Sequence, residues 1–106
     1  MANKKLQLLT AVVQHHLGNA VIDAALAAGA TGATYFFAQG TGVRQTLGQA
    51  AADIEVGKRV VHVLVPPALA DKVLGAVIAA GEIDKPGGGV AYLQDVLQAV
   101  GFVPPK

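Results

Sequence analysis

The chain carries an imperfect internal repeat, and that repeat constrains its fold more than any other feature. Laid over residues 61–81, residues 9–29 are identical at seven of 21 positions. Val13 falls on Val65, Leu17 on Leu69, Val21 on Val73 and Ala24 on Ala76, and Ala27-Ala28-Gly29 closes on Ala79-Ala80-Gly81. Each copy opens with an apolar run, Leu6–Val13 and then the β-branched Val60–Val65 around His62, which predicts a strand covered on at least one face. Each run leads into a helical pattern. Leu17, Val21 and Ala25 form one row, as Leu69, Val73 and Val77 do in the second copy, with Leu74 and Ile78 beside them. Pro66-Pro67 stops the second strand and suits the start of a helix. Gly29 and Gly81 stand where a left-handed C-terminal cap belongs.

A further strand candidate follows each helix, Ala33–Ala38 with Tyr35, Phe36 and Phe37, and Gly89–Leu93. Gln94–Val100 is expected to make a short helical turn before Pro104-Pro105 ends the fold. The order β-α-β-β-α-β predicts an α+β, ferredoxin-like domain over residues 1–106: an antiparallel four-stranded sheet with two helices on one face. That fold hosts many activities and fixes none.

Composition narrows the function. The 106 residues are 53% hydrophobic and 14% charged, against about 25% charged in an average globular chain. Too few charges are present to cover a small monomer, so part of the apolar surface is expected to face other subunits. A net charge of +1 argues against a nucleic-acid binder dominated by phosphate contacts. The chain has no cysteine, hence no disulfide framework and no thiolate metal site, and a reducing cytoplasmic setting fits. Leu6–Val13 is too short for a signal segment, and no apolar run reaches the ~18 residues of a membrane span. With no serine or cysteine, nucleophilic catalysis has no support, and a binding protein rather than an enzyme is expected.

Three connecting stretches carry a family resemblance: Gly29-Ala30-Thr31-Gly32-Ala33-Thr34, Gly40-Thr41-Gly42-Val43-Arg44-Gln45, and Ile83-Asp84-Lys85-Pro86-Gly87-Gly88-Gly89-Val90-Ala91-Tyr92. In order and spacing the chain resembles the PII family of nitrogen- and energy-status signalling regulators. The resemblance implies a homotrimer that binds an adenine nucleotide in clefts between subunits. It implies a T-loop at about 42–58 that meets a protein partner, and a B-loop at about 82–89. Nucleotide contacts would come from Gly40, Thr41, Gly42, Arg44 and Lys58 around the T-loop. His62 and Leu64 would line the base side, and Lys85, Gly87, Gly88 and Gly89 would come from the B-loop. Glycines without Cβ let backbone amides approach phosphate oxygens, and Arg44 and Lys85 would add charge.

Departures from the family pattern matter as much. Gly88-Gly89 stands where the family carries Gly-Lys before the strand, and His62 stands where it carries a glutamate. After Lys85 the only basic residue is Lys106, so the C-terminal arginines that grip the polyphosphate have no counterpart, and ADP or AMP is expected over ATP. No tyrosine lies between Gly42 and Lys58. A second effector such as bicarbonate or 2-oxoglutarate, in carbon or nitrogen metabolism, is implied by the resemblance alone.

Other readings of the same residues stay open. Gly40-Thr41-Gly42 also suits a plain turn closing the second strand, and Gly87-Gly88-Gly89 a plain connector. His15, His16 and His62 admit a divalent-metal trimer of the CutA ion-tolerance type, although neighbouring histidines diverge in extended structure and few carboxylates are at hand. Asp53 and Glu55 with Lys58-Arg59 form either an interaction surface or a solvated cluster. Tyr35, Phe36 and Phe37 are expected in the core and at a subunit interface.

Overall fold

The computed structural model describes residues 2–3, 5–40 and 56–105. Strand β1 (Ala2–Asn3) precedes β2 (Leu6–Gln14), a 3-10 turn at His15–Leu17 and helix α1 (Gly18–Ala27). Strands β3 (Thr34–Gln39) and β4 (Gly57–Val65), helix α2 (Pro67–Ala80), β5 (Gly89–Val96) and β6 (Ala99–Val100) complete the order. The main sheet runs β3-β4-β2-β5 with every neighbouring pair antiparallel. This is the ferredoxin-like α+β arrangement that the repeat predicts.

The pleat explains the core. Leu9, Ala11 and Val13 of β2 and Val61, Val63 and Val65 of β4 alternate onto one face and are buried there. Both helices pack on that face through Val21 and Ala25 of α1 and Val73 and Val77 of α2. The repeat is therefore structural: Val13/Val65, Val21/Val73 and Ala25/Val77 are buried at equivalent places.

The two helix ends differ by one residue. At α1, Ala30 N–H donates to Ala25 C=O and Gly29 N–H to Leu26 C=O, with Gly29 at φ +120°. That is the Schellman pattern with glycine at the left-handed position. At α2 the corresponding bonds run from Ile83 N–H to Ile78 C=O and from Glu82 N–H to Ala79 C=O, so Glu82, at φ +52°, holds the left-handed place. Gly81 itself has φ −88°, which corrects the expected left-handed cap there. Its glycine answers to packing: a Cβ would lie 2.9 Å from Val13 Cγ1 and 3.1 Å from Val21 Cγ2.

Three other expectations change. The predicted helical turn over Gln94–Val100 is absent. β5 continues to Val96, because Gln94, Asp95 and Val96 stay in register with Leu8, Gln7 and Leu6, and Ala99–Val100 pairs with Ala2–Asn3. β4 starts at Gly57 rather than Val60, since Lys58 and Arg59 pair with Gln14 and Val13. Tyr35, Phe36 and Phe37 are not core residues of the single chain; they are 51%, 47% and 67% exposed on an edge strand.

Candidate functional site

Among the described residues, no helix covers the face of the sheet away from α1 and α2. Three of its cross-strand rows bear on the site. Phe36, Val60, Val12 and Val90 make an apolar row, and Thr34, His62, Thr10 and Tyr92 make the next, wholly polar one. Leu64 and Leu8 follow, opposite Gln94. Val90, Tyr92 and Phe36 are each more than two-fifths exposed in the single chain.

At the Leu8–Leu64 end of this face lies a cleft of about 590 Å³. Its floor is Leu8, His62 and Leu64, its first wall the α1–β3 loop from Thr31 to Thr34, and its second wall Gly101–Val103. Two devices fix the walls. Thr31 Oγ1 donates to Val103 C=O at 2.7 Å, and Gly101, at φ +96°, turns the tail toward the loop. His62 is set by the edge of the Phe36 ring, centroids 5.6 Å apart at 81°. The cleft thus offers apolar walls with hydroxyl and imidazole groups among them, a lining suited to a planar heterocycle.

The remaining site candidates fall into two further groups. Gly40 and Lys58 meet at the neck of the β3–β4 connection. Gly40 N–H donates to Val56 C=O at 2.9 Å, closing the neck. A Cβ on Gly40 would come within 3.2 Å of the Lys58 side chain, which is itself buried. Thr41, Gly42 and Arg44 lie outside the described residues, as do Asp53 and Glu55.

The B-loop group sits elsewhere. Gly89 pairs with Val13 on β2, at the β5 edge, whereas Gly40 adjoins β3 at the opposite edge. Two strands intervene, a span of about 14 Å at ordinary strand spacing. One chain therefore does not bring the B-loop, the T-loop neck and the cleft onto a common small ligand.

The glycines of the B-loop have a cause inside the chain. A Cβ on Gly88 would run into the Glu82 carbonyl and sit 2.8 Å from its carbon, and one on Gly89 would run into the Val12 carbonyl. Gly87 and Gly89 also hold φ of +77° and +120°. The close approach read in the triple glycine is made first of all to the protein's own backbone. Lys85 Nζ reaches Glu82 Oε1 at 3.1 Å on the surface, a pair of small energetic weight that leaves the ammonium within reach of solvent.

The three histidines are not brought together. His15 packs against Phe37, centroids 5.1 Å apart, while His62 packs against Phe36, which faces the other way along β3. Among the described residues no group of three or more histidine, aspartate or glutamate side chains is placed to hold a metal ion.

Several cleft residues escaped the sequence reading. Thr31, Gly32 and Thr34 stand in a stretch that carries the resemblance, but their residue types alone mark no site there. The signal for Leu8 is its register opposite Leu64, invisible until the strands are paired. A helical turn over Gln94–Val100, as the sequence predicts, hides the tail wall at Gly101–Val103.

Among solved structures the fold is similar to that of Arabidopsis thaliana PII bound to citrate, with a TM-score of 0.69 and 20% identity. The match covers 90% of this chain and 78% of that one; it is a likeness of fold. No curated protein matches the sequence. A family model described as nitrogen regulatory protein P-II matches residues 6–101, from the first residue of β2 through both helices to the turn at Gly101. The chain belongs to the nitrogen regulatory protein P-II family.

Proposed function

We propose that this P-II family chain is a non-catalytic signalling subunit that binds an adenine nucleotide, with the base in the Leu8–His62–Leu64 cleft. A second copy completes the site. The observation that carries this reading is the placement of the cleft beside an apolar sheet face that no described element covers, with the B-loop on the far edge. A neighbouring copy packed on that face supplies its own B-loop where this chain has none, and a homotrimer in the family manner repeats the site three times.

Lys58 at the loop neck and Arg44 contact phosphates in this arrangement, while Gly40, Thr41 and Gly42 let the backbone approach. Lys85 and the amides of Gly87, Gly88 and Gly89 approach from the neighbour. With no basic residue after Lys85 except Lys106, few cations are available for a third phosphate, and ADP or AMP binds better than ATP. In this reading the nucleotide and a protein partner favour the same T-loop state, which couples the two binding events. A small anion such as bicarbonate or 2-oxoglutarate is the proposed second effector, and the citrate in the Arabidopsis protein's structure makes that class worth testing.

Calorimetric titration with AMP, ADP and ATP, with and without Mg²⁺, bicarbonate or 2-oxoglutarate, tests the reading. The expected result is saturable binding near one nucleotide per subunit, with ADP or AMP tighter than ATP. His62→Ala weakens it about tenfold, the loss of roughly one good contact. Absence of binding by all three nucleotides overturns it.

A further inference from the structure

The bond between Thr31 and Val103 joins the two walls of the cleft, and each wall is anchored behind it. Thr31 directly follows Ala30, whose N–H donates to Ala25 C=O of α1. The other wall, Gly101–Val103, follows directly on β6, whose Ala99 and Val100 pair with Asn3 and Ala2. Three residues therefore run along the cleft from a pinned strand to a pinned loop.

The two ends of this segment are held in different ways. Gly101 has φ +96°, and a Cβ there would meet nothing within 4 Å. Space would admit a side chain; the backbone conformation is what calls for glycine. At the far end the Val103 side chain is 67% exposed, and its carbonyl makes the attachment, accepting from Thr31 Oγ1 at 2.7 Å. That bond is exposed, and water replaces such a bond at small net cost. A glycine pivot at one end and a water-exchangeable bond at the other suit a segment that swings. Between them Phe102 lines the cleft together with Leu8, His62 and Leu64. Its ring offers a flat base a stacking surface that the two leucines lack.

We propose that residues 101–103 form a strap over the bound base, pivoting at Gly101, latched by Thr31 and carrying Phe102 as the stacking residue. The strap rests on the nucleotide reading of the same cleft and adds what sets residence time there: the ligand leaves when the Thr31–Val103 bond opens. Thr31 is a positioning residue, acting through the strap.

The test uses the full chain as wild type, Thr31→Val, Thr31→Ser and Phe102→Leu. Valine keeps the branched shape of threonine and removes the hydroxyl, whereas serine keeps the hydroxyl. Heteronuclear NOEs of the Phe102 and Val103 amides report the latch without nucleotide; they are expected to fall in Thr31→Val and to recover in Thr31→Ser. Stopped-flow then follows methylanthraniloyl-ADP binding and its release into excess ADP. Release from Thr31→Val is expected to be about fivefold faster, as for one lost hydrogen bond, with association no slower. Serine restores the wild-type release rate, and Phe102→Leu binds ADP about tenfold more weakly. General damage to the cleft would slow association as well, and serine would not repair it. Unchanged NOEs in Thr31→Val, or an unchanged release rate, overturn the strap while leaving nucleotide binding intact. A wild-type chain that binds no nucleotide removes the nucleotide reading and the strap with it, so the two failures are told apart.

Discussion

Single residues in this protein often carry a different cause from the one their type suggests. Gly81 resembles a helix cap, yet its backbone is ordinary and its missing Cβ makes room for Val13 and Val21. Gly81→Ala is therefore expected to cost about 1–3 kcal/mol through overpacking, read as a lower denaturation midpoint. The left-handed place beside it belongs to Glu82, where an L side chain is disfavoured by about 1 kcal/mol or more. Glu82→Gly removes that strain and loses only the exposed Lys85 pair, so a net gain of about 0.5–1 kcal/mol is expected, measured by chemical denaturation. An unchanged midpoint would mean that the pair or the unfolded chain offsets the relief. The sequence shows that a glycine is present at 81; whether it serves φ or space depends on which side chains meet there. The same holds for Gly88. An alanine there collides with the Glu82 carbonyl, so a loss of nucleotide response in Gly88→Ala would report a broken turn. Lys85→Ala, at an exposed side chain, is the cleaner probe of the B-loop.

Elements were legible where periodicity and register agree. The two copies of strand and helix stand out in the sequence because Val21 and Val73, or Ala25 and Val77, must face one core, and burial enforces that spacing in both copies. Val21→Ala and Val73→Ala, each at a fully buried site, are accordingly expected to cost similar amounts, about 1.5–3 kcal/mol apiece, by denaturation of each variant. A large disparity would show that the two halves are not equivalent in packing. The end of the chain was illegible for a related reason. Gln94–Val96 has no apolar alternation of its own and is a strand because β2 extends beside it. Ala99–Val100 is a strand only through Ala2–Asn3, at the other terminus. Neither partner is encoded locally, and the tail wall of the cleft goes unseen with them. Tyr35, Phe36 and Phe37 read as core because aromatics usually are; their edge position leaves them open in the single chain.

For the whole molecule, low charge already implied that something covers an apolar surface, but only the paired register shows which surface. Leu9 and Ala11 face the helices, so the alternate residues Val12, Thr10 and Leu8, with Val60, Val90 and Tyr92 beside them, are left on a face that no described element covers. A two-layer domain leaves such a face to solvent only when it is polar, and the row Phe36–Val60–Val12–Val90 is not. Covering it with further copies of the chain satisfies the composition, the family and the separation of the loops at once. Val90 is half-exposed in the single chain and takes no part in the helix-side core. If the proposed trimer forms through this face, Val90→Asp should leave far-ultraviolet circular dichroism and cooperative unfolding intact while lowering the molar mass in light scattering to that of a single chain. Nucleotide affinity should fall with it, because the neighbour's B-loop is gone. A wild-type chain that runs as a monomer at all concentrations would remove the shared site. If Val90→Asp stays trimeric with undiminished affinity, the copies meet through another surface, with the exposed aromatic edge of β3 the next to examine.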